Sequence, residues 1–310
     1  MSGYDYRRLQ SKYPYNPRQL EKLCRISDIL ARISQIPFLR NRLSLYGGTA
    51  LNFIHFPQPQ RLSVDIDFNY RHIDKDRDWG DVRDQIDASI KQILYGQGYK
   101  DVDIKIEPTY PLCRFNVDYI NHLAHRDGFK IETGYMRRMP ILSKDALMDF
   151  RHIGADTHHT IKTPQAEEIY ANKWITLLAR ATPRDLYDIH VITKARADKS
   201  TLRKCGVIES LMSLDRPLTS VDPEKTINSI NYDESLRTVI STHQPPDIDT
   251  IRSEAIHYSE SIINNLTKDE KRCINLFHTQ KKFQPELLGL EEINPEIRSH
   301  PTIKWAQQQQ

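Results

Sequence analysis

The first strongly patterned segment of the chain is helical. Asn16-Pro17 supplies an N-cap residue followed by proline at the first helical position, and apolar residues then recur at helical spacing. The apolar positions are Leu20, Leu23, Leu30 and Ile33. The pattern predicts one helix that ends near Pro37.

The next segment predicts a strand that turns directly into a helix. Residues 43–46 form a short strand-like run, and Gly47-Gly48 follows at once. Leu51 and Ile54 then have helical spacing and are expected to face the core.

Residues 61–68 alternate between polar and apolar side chains, which predicts a strand. The apolar face holds Val64, Ile66 and Phe68. Asp65 and Asp67 therefore share the opposite face.

A helix and three more strands are predicted next. Residues 78–94 carry a buried helical stripe that Gly96 and Gly98 end, and its apolar positions are Val82, Ile86, Ile90 and Ile93. Alternation then predicts strands over residues 102–107, 113–119 and 129–133. This order of elements indicates a mixed α/β (α+β) domain with a mixed sheet.

From Pro164 onward the chain is predicted to be largely helical. Thr163-Pro164 and Thr182-Pro183 each resemble an N-cap with proline at the first helical position. We expect an α/β domain over residues 1–195 and a helical C-terminal domain over residues 196–310.

Composition narrows the class of protein. The 310 residues include 44 Lys+Arg and 41 Asp+Glu, so a nucleic-acid partner is neither required nor excluded. The N-terminus lacks a signal-peptide core and no apolar run could span a bilayer, which favours a cytoplasmic protein without a membrane partner. Four scattered cysteines are expected to be reduced core residues: Cys24, Cys113, Cys205 and Cys273.

Asp65 and Asp67 are the first candidates for chemistry. Two carboxylates on one strand face repel each other unless a cation lies between them, and Mg²⁺ is usually held by one or two carboxylates together with substrate phosphates. A D-x-D pair alone also suits a solvated sheet face. The nearby Gly47-Gly48 pair favours the metal site over the solvated face, because glycines at a helix N-terminus let the backbone approach phosphate.

A third carboxylate would complete a two-metal site. Glu132 is the preferred candidate because it alternates away from Phe129 and Ile131. Asp118 and Glu107 remain alternative candidates, because the same argument from strand alternation applies to them.

Cations on the later helices suggest an anion-binding face. Lys173 and Arg180 are seven residues apart, at helical spacing, and Asp188 is placed to hold Lys173 or Arg184 in position. Asp185 shares the face of Asp188. A structural ion-pair network is the alternative.

The histidine pairs His122/His125 and His158/His159 are expected in surface loops.

These blocks together resemble the AbiEii-type abortive-infection nucleotidyltransferase toxins, which include the MenT toxins. The matching blocks are residues 47–51 (GGTAL), 61–67 (RLSVDID), 130–132 (KIE), 168–173 (EIYANK), Arg180, 184–188 (RDLYD) and 300–305 (HPTIKW). Resemblance spans most of the chain.

The resemblance implies a polymerase-β-like core, a helical C-terminal domain and a toxin restrained by a cognate antitoxin. Residues and resemblance together predict transfer of a nucleoside monophosphate from a nucleoside triphosphate (NTP) to an acceptor hydroxyl, preferably the 3′ end of transfer RNA. Asp65, Asp67 and Glu132 would bind Mg²⁺. The remaining predicted catalytic residues are Lys173, Asp185 and Asp188. The predicted NTP-binding residues are Gly47, Gly48, Thr49, Arg61, Ser63, Lys173, Arg180 and Arg184.

Two alternatives remain open from the sequence. The same site could transfer a terminal phosphoryl group, which would make the protein a kinase of RNA or protein. It could also bind nucleotide without turnover, as a sensor.

Overall fold

The computed structural model divides the chain into two compact units. It describes residues 3–56, 61–74, 78–231, 234–241, 247–290 and 292–309. The first unit comprises Met1–Arg138, Ala146–Thr163 and Thr238–Gln244, and the second comprises Met139–Asp145, Pro164–Arg237 and Pro245–Gln310. The long helical part of the second unit begins at Pro164, whereas the α/β domain predicted from the sequence ends at residue 195.

The first unit is built on a five-stranded mixed sheet in the order β1-β2-β5-β4-β3. Its strands are β1 (Leu43–Tyr46), β2 (Ile66–Tyr70), β3 (Ile104–Glu107), β4 (Leu112–Ile120) and β5 (Arg126–Gly134). β2 and β5 are parallel, and every other neighbouring pair in the sheet is antiparallel. The predicted mixed sheet is confirmed.

Among its described residues, the first unit contains five helices longer than three residues. They are α1 (Tyr6–Lys12), α2 (Pro17–Gln35), α3 (Pro37–Arg42), α4 (Gly47–Ala50), which continues as a π-helical turn (Leu51–His55), and α5 (Trp79–Gly96). Asn16 caps α2 by accepting a hydrogen bond from the Arg18 amide, and Asp78 caps α5. The stripes predicted for both helices are buried, because they supply the apolar faces of the unit's core.

The strand predicted over residues 61–68 is shorter than expected. Only its C-terminal part, from Ile66, joins the sheet, while Arg61 forms an isolated bridge with Ile240. The Leu62 amide donates to the Val239 carbonyl at 2.7 Å. Pairing with this distant segment, which local alternation does not encode, explains the difference.

A two-stranded hairpin that the sequence analysis missed completes the first unit. It consists of β6 (Ala146–Arg151) and β7 (His158–Thr163), so His158 and His159 lie in a strand and not in a loop. The Thr163 hydroxyl donates to the Leu45 carbonyl at 3.0 Å. The prediction that Thr163 caps a helix is therefore wrong, and the next helix begins after Gln165.

The second unit is helical, as predicted. Its helices are α6 (Ala166–Arg180), α7 (Pro183–Ile192), α8 (Lys199–Ser213), α9 (Pro223–Asn228), α10 (Glu234–Arg237), α11 (Ile248–Asn264), α12 (Lys268–Gln280) and α13 (Pro301–Gln308). Trp174 of α6 is fully buried and donates to Ser259 Oγ of α11 at 3.1 Å. A Cβ atom on Gly206 would lie 2.5 Å from the Trp174 ring, so this glycine permits the close approach of α8.

Two further predictions from the sequence concern the four cysteines and membrane-spanning helices. All four cysteines are buried, which confirms their place in the core. Within the described ranges, no helix combines the length and apolarity needed to cross a membrane.

Candidate active site

Asp67 and Glu132 lie side by side at the centre of the sheet. Asp67 is paired with Tyr46 of β1 on one side and with Glu132 of β5 on the other. Directly paired residues on neighbouring strands extend from the same face of a sheet, so the structure brings these two carboxylate residues together. Asp65 precedes β2, and its Oδ1 accepts a hydrogen bond from the Lys130 amide at 3.1 Å. Lys130 lies two residues before Glu132 in β5, which ties the Asp65 carboxylate to the same strand.

Gly47 is required at the turn between β1 and α4. Its φ is +68°, in the left-handed region that favours glycine. A Cβ atom at this position would lie 2.1 Å from Asp67 Oδ2. The turn and the carboxylate are therefore in van der Waals proximity, and a side chain at position 47 would require the Asp67 carboxylate to shift.

Gly48 makes a second close approach. A Cβ atom there would lie 2.8 Å from a terminal nitrogen of Arg61 and 3.1 Å from Ser63 Oγ. Arg61 and Ser63 are both buried. The structure thus brings Arg61 and Ser63, two of the residues predicted for NTP binding, to the glycine turn next to Asp67.

Two side chains on the helical turn after Gly48 hold this arrangement together. The Thr49 hydroxyl donates a hydrogen bond to the Asp65 carbonyl. Asn52 is fully buried, and its amide nitrogen donates to the Gly48 carbonyl at 3.0 Å while its oxygen accepts from the Arg61 amide at 3.3 Å. Sequence reasoning missed Asn52. Its signal was a polar residue among apolar ones, four positions after Gly48.

Arg114 is a second residue that the sequence analysis missed. It is paired with Glu132 across β4 and β5, and its Nε donates to Glu132 Oε1 at 2.6 Å. This hydrogen bond, together with the charge of Glu132, raises the pKa of the Arg114 guanidinium. The Glu132 carboxylate is therefore engaged by a cation of the protein itself.

The two rivals for the third carboxylate lie further from Asp67 across the sheet or along it. Glu107 is paired with Arg114, two strands beyond Glu132. The Lys105 ammonium at 3.0 Å, with Arg114, holds the pKa of Glu107 below its usual range. Asp118 is exposed and paired with Gly128, farther along β4. Only Glu132 of the three is paired with Asp67.

The donor set suits a hard cation, although it is not preassembled. Among the residues that the structure describes, no three His, Cys, Asp or Glu side chains are grouped as a metal cluster. The carboxylates of Asp65 and Asp67 beside a glycine turn still fit Mg²⁺, which takes only one or two carboxylates when phosphates supply further oxygens.

The remaining predicted residues belong to the second unit. Lys173 of α6 and Asp188 of α7 form an ion pair with 2.8 Å between Nζ and Oδ2, and their side chains are 6% and 0% exposed. The predicted contact between these residues is confirmed. Its role in NTP binding stays a prediction.

Asp185 is bound by two neighbours at the start of α7. Arg180 donates to both of its carboxylate oxygens, at 2.6 and 2.8 Å, and the Thr182 hydroxyl donates at 2.6 Å. Thr182 also caps α7 as predicted. These contacts are those of a structural capping network. Arg184 is half-buried nearby, and the predicted roles of Asp185, Arg180 and Arg184 in catalysis or NTP binding are untested.

The chain is similar to known proteins over most of its length. A family model described as "Nucleotidyl transferase AbiEii toxin, Type IV TA system" matches residues 28–254. No curated protein matches the chain by sequence. Among solved structures, MenT4, a nucleotidyltransferase toxin from Mycobacterium tuberculosis H37Rv, is similar in fold, with 15% identity, a TM-score of 0.65 and coverage of 98% of this chain and 99% of that chain. Because the family model covers most of the chain, including the glycine turn, Asp65 and Asp67, the protein belongs to the AbiEii family of nucleotidyltransferase toxins of type IV toxin–antitoxin systems.

Proposed function

We propose that the protein transfers a nucleoside monophosphate from an NTP to an acceptor hydroxyl, with Asp65, Asp67 and Glu132 as the metal-binding carboxylates. The observation that carries the proposal is the direct pairing of Asp67 with Glu132 beside the Gly47 turn. A glycine turn at a helix N-terminus and adjacent carboxylates are the two elements that a metal–triphosphate complex needs.

The chain's own residues divide into two groups in this reaction. Gly47 and Gly48 let the triphosphate approach the backbone at the start of α4, and the Ser63 hydroxyl and Arg61 guanidinium lie against the same turn. Mg²⁺, when bound, would neutralise the phosphate charge and favour ionisation of the acceptor hydroxyl. In the balanced reaction the acceptor oxygen bonds to the α-phosphorus, pyrophosphate leaves, and the acceptor proton passes to solvent.

RNA is the proposed acceptor, and the 3′ hydroxyl of transfer RNA is preferred. Support comes from the motif resemblance to AbiEii-type toxins, from which a transfer-RNA acceptor is predicted, and from the cytoplasmic setting proposed for the protein. Family membership implies a cognate antitoxin, which we propose is encoded alongside.

Labelled nucleotides test the proposal directly. Purified protein with Mg²⁺ and total RNA is incubated with each NTP, labelled at either the α- or the γ-phosphate. Nucleotidyl transfer predicts that α-label enters RNA and γ-label leaves as pyrophosphate. Label entering only from the γ-position would show a kinase. Nucleotide binding without label transfer to any acceptor would show a sensor and contradict the proposal.

A further inference from the structure

Arg114 connects two carboxylates on the face that carries Asp67. Its Nε lies 2.6 Å from Glu132 Oε1, and its Nη1 lies 3.4 Å from Glu107 Oε2. Glu107, Arg114, Glu132 and Asp67 occupy successive paired positions on β3, β4, β5 and β2. The row therefore contains one cation, Arg114, between Glu107 and Glu132, and a second anion, Asp67, next to Glu132.

This row explains why the proposed metal ligands are not preassembled. Paired positions on adjacent strands bring Asp67 and Glu132 close enough for their carboxylates to repel each other. Arg114 offsets that repulsion, because it engages Glu132 through a charge-assisted hydrogen bond. A metal ion that takes Glu132 Oε1 as a ligand must displace this hydrogen bond.

We propose that Arg114 is a positioning residue that restrains Glu132 from metal binding until a cation replaces the guanidinium. This inference rests on the proposed function, since it assumes that Glu132 is the third metal ligand. Arg114 thereby lowers the affinity of the protein for free metal ions. A metal ion that arrives bound to the triphosphate is also held by the phosphate contacts. Their binding free energy would offset the loss of the hydrogen bond between Arg114 and Glu132.

The surroundings of Arg114 allow such an exchange. Its side chain is 35% exposed and that of Glu132 is 26% exposed, and ion pairs with this much solvent contact are weak enough to open. After release, the guanidinium keeps Glu107 as a partner, because that carboxylate already lies within 3.4 Å. Arg114 therefore needs no new binding site when Glu132 leaves.

The proposal can be tested without an activity assay. The nucleotide-free protein is titrated with Mn²⁺, and the free ion is measured by electron paramagnetic resonance. Arg114→Gln is expected to bind Mn²⁺ roughly three- to tenfold more tightly than the wild type, since a charge-assisted but partly solvated bond is lost. The gain should disappear in the double variant Arg114→Gln/Glu132→Gln, because Arg114 acts only through Glu132.

Two control variants separate this role from general electrostatics and from misfolding. Lys105→Gln removes a positive charge in the neighbouring strand, where the Lys105 ammonium forms an ion pair with Glu107 of the same strand. It should leave the Mn²⁺ affinity within about twofold of the wild type, because exposed charges at this distance are screened. Arg114→Lys keeps the charge and should also stay close to the wild type, so a three- to tenfold gain in this variant would show that the positive charge at position 114 does not restrain Glu132.

The outcomes distinguish the inference from the function on which it rests. Unchanged or weaker Mn²⁺ binding by Arg114→Gln, or an equal gain in Lys105→Gln, would overturn the role of Arg114 alone. Persistence of the gain without the Glu132 carboxylate would do the same. If Asp67→Asn binds Mn²⁺ as well as the wild type, the proposed metal site itself is wrong.

Discussion

Asp67 and Glu132 are directly paired across the parallel strands β2 and β5, with Gly47 packed against the Asp67 carboxylate. Each element alone is common in proteins. Together they place two acidic side chains beside a backbone turn that can approach phosphate, which is the basis of the first two predictions.

Replacement of Asp67 is expected to abolish transfer without unfolding the protein. Asp67→Ala removes a proposed metal ligand, and the loss should be about a thousandfold or more, since metal stabilisation of the reacting phosphate is worth several kcal/mol. Transfer of α-labelled nucleotide and a thermal melt are measured on the same preparation. Asp118→Ala, an exposed carboxylate in β4, is the matched control and should retain activity. Full activity of Asp67→Ala would remove the metal site.

Gly47→Ala is expected to impair both stability and activity. The left-handed φ of +68° is unfavourable for alanine, and the new Cβ would displace the Asp67 carboxylate. We expect a loss of roughly 1–3 kcal/mol in the free energy of unfolding. Gly96→Ala is the control, because a Cβ there meets nothing within 4 Å at the end of α5. That variant should be neutral or more stable by about 0.5–1 kcal/mol, with unchanged activity. Normal activity and stability of Gly47→Ala would show that the turn tolerates a side chain.

The buried pair of Lys173 and Asp188 allows its structural and functional roles to be separated. Lys173→Met alone leaves the fully buried Asp188 without this partner and should lower the free energy of unfolding by about 3–5 kcal/mol. Adding Asp188→Leu should restore most of that stability, because an apolar pair can replace a buried ion pair. Nucleotide affinity of the double variant then decides the role of Lys173. If the restored protein binds NTP as tightly as the wild type, the pair is structural only.

Growth experiments test whether catalysis makes the protein toxic. Induction of the wild type without its antitoxin is expected to arrest bacterial growth, and Asp67→Ala at the same protein level should relieve the arrest. The physical reason is turnover, because each active enzyme molecule modifies many acceptors. Sequencing of small-RNA 3′ ends from both cultures identifies the acceptor. Equal toxicity of the two proteins would show that transfer is not the cause, and arrest with unaltered 3′ ends would exclude transfer RNA.

Local patterns predicted the elements of this fold well where one segment determines its own structure. The cap at Asn16, the stripe of α2 and the alternation of β4 and β5 all depend on neighbours in sequence. The β6–β7 hairpin and the shortened β2 were not predicted. For the segment before β2, the pairing partner lies far along the chain, as with Leu62 and Val239. β6 and β7 pair with each other, but they have few buried positions and therefore little alternation to detect.

For the candidate site, the sequence by itself determined the chemistry available. Strand alternation identified Asp65 and Asp67, and the glycine pair marked a turn next to a helix N-terminus. Strand alternation alone could not distinguish Glu132 from Asp118 and Glu107. Alternation indicates which face of a strand a residue lies on, but it does not indicate which strands are neighbours in the sheet. Only the tertiary structure decided that β5 lies parallel to β2 in the register that pairs Asp67 with Glu132, and that Arg114 reaches the same carboxylate. Strand order and register result from the packing of the whole apolar face, so no short segment encodes them.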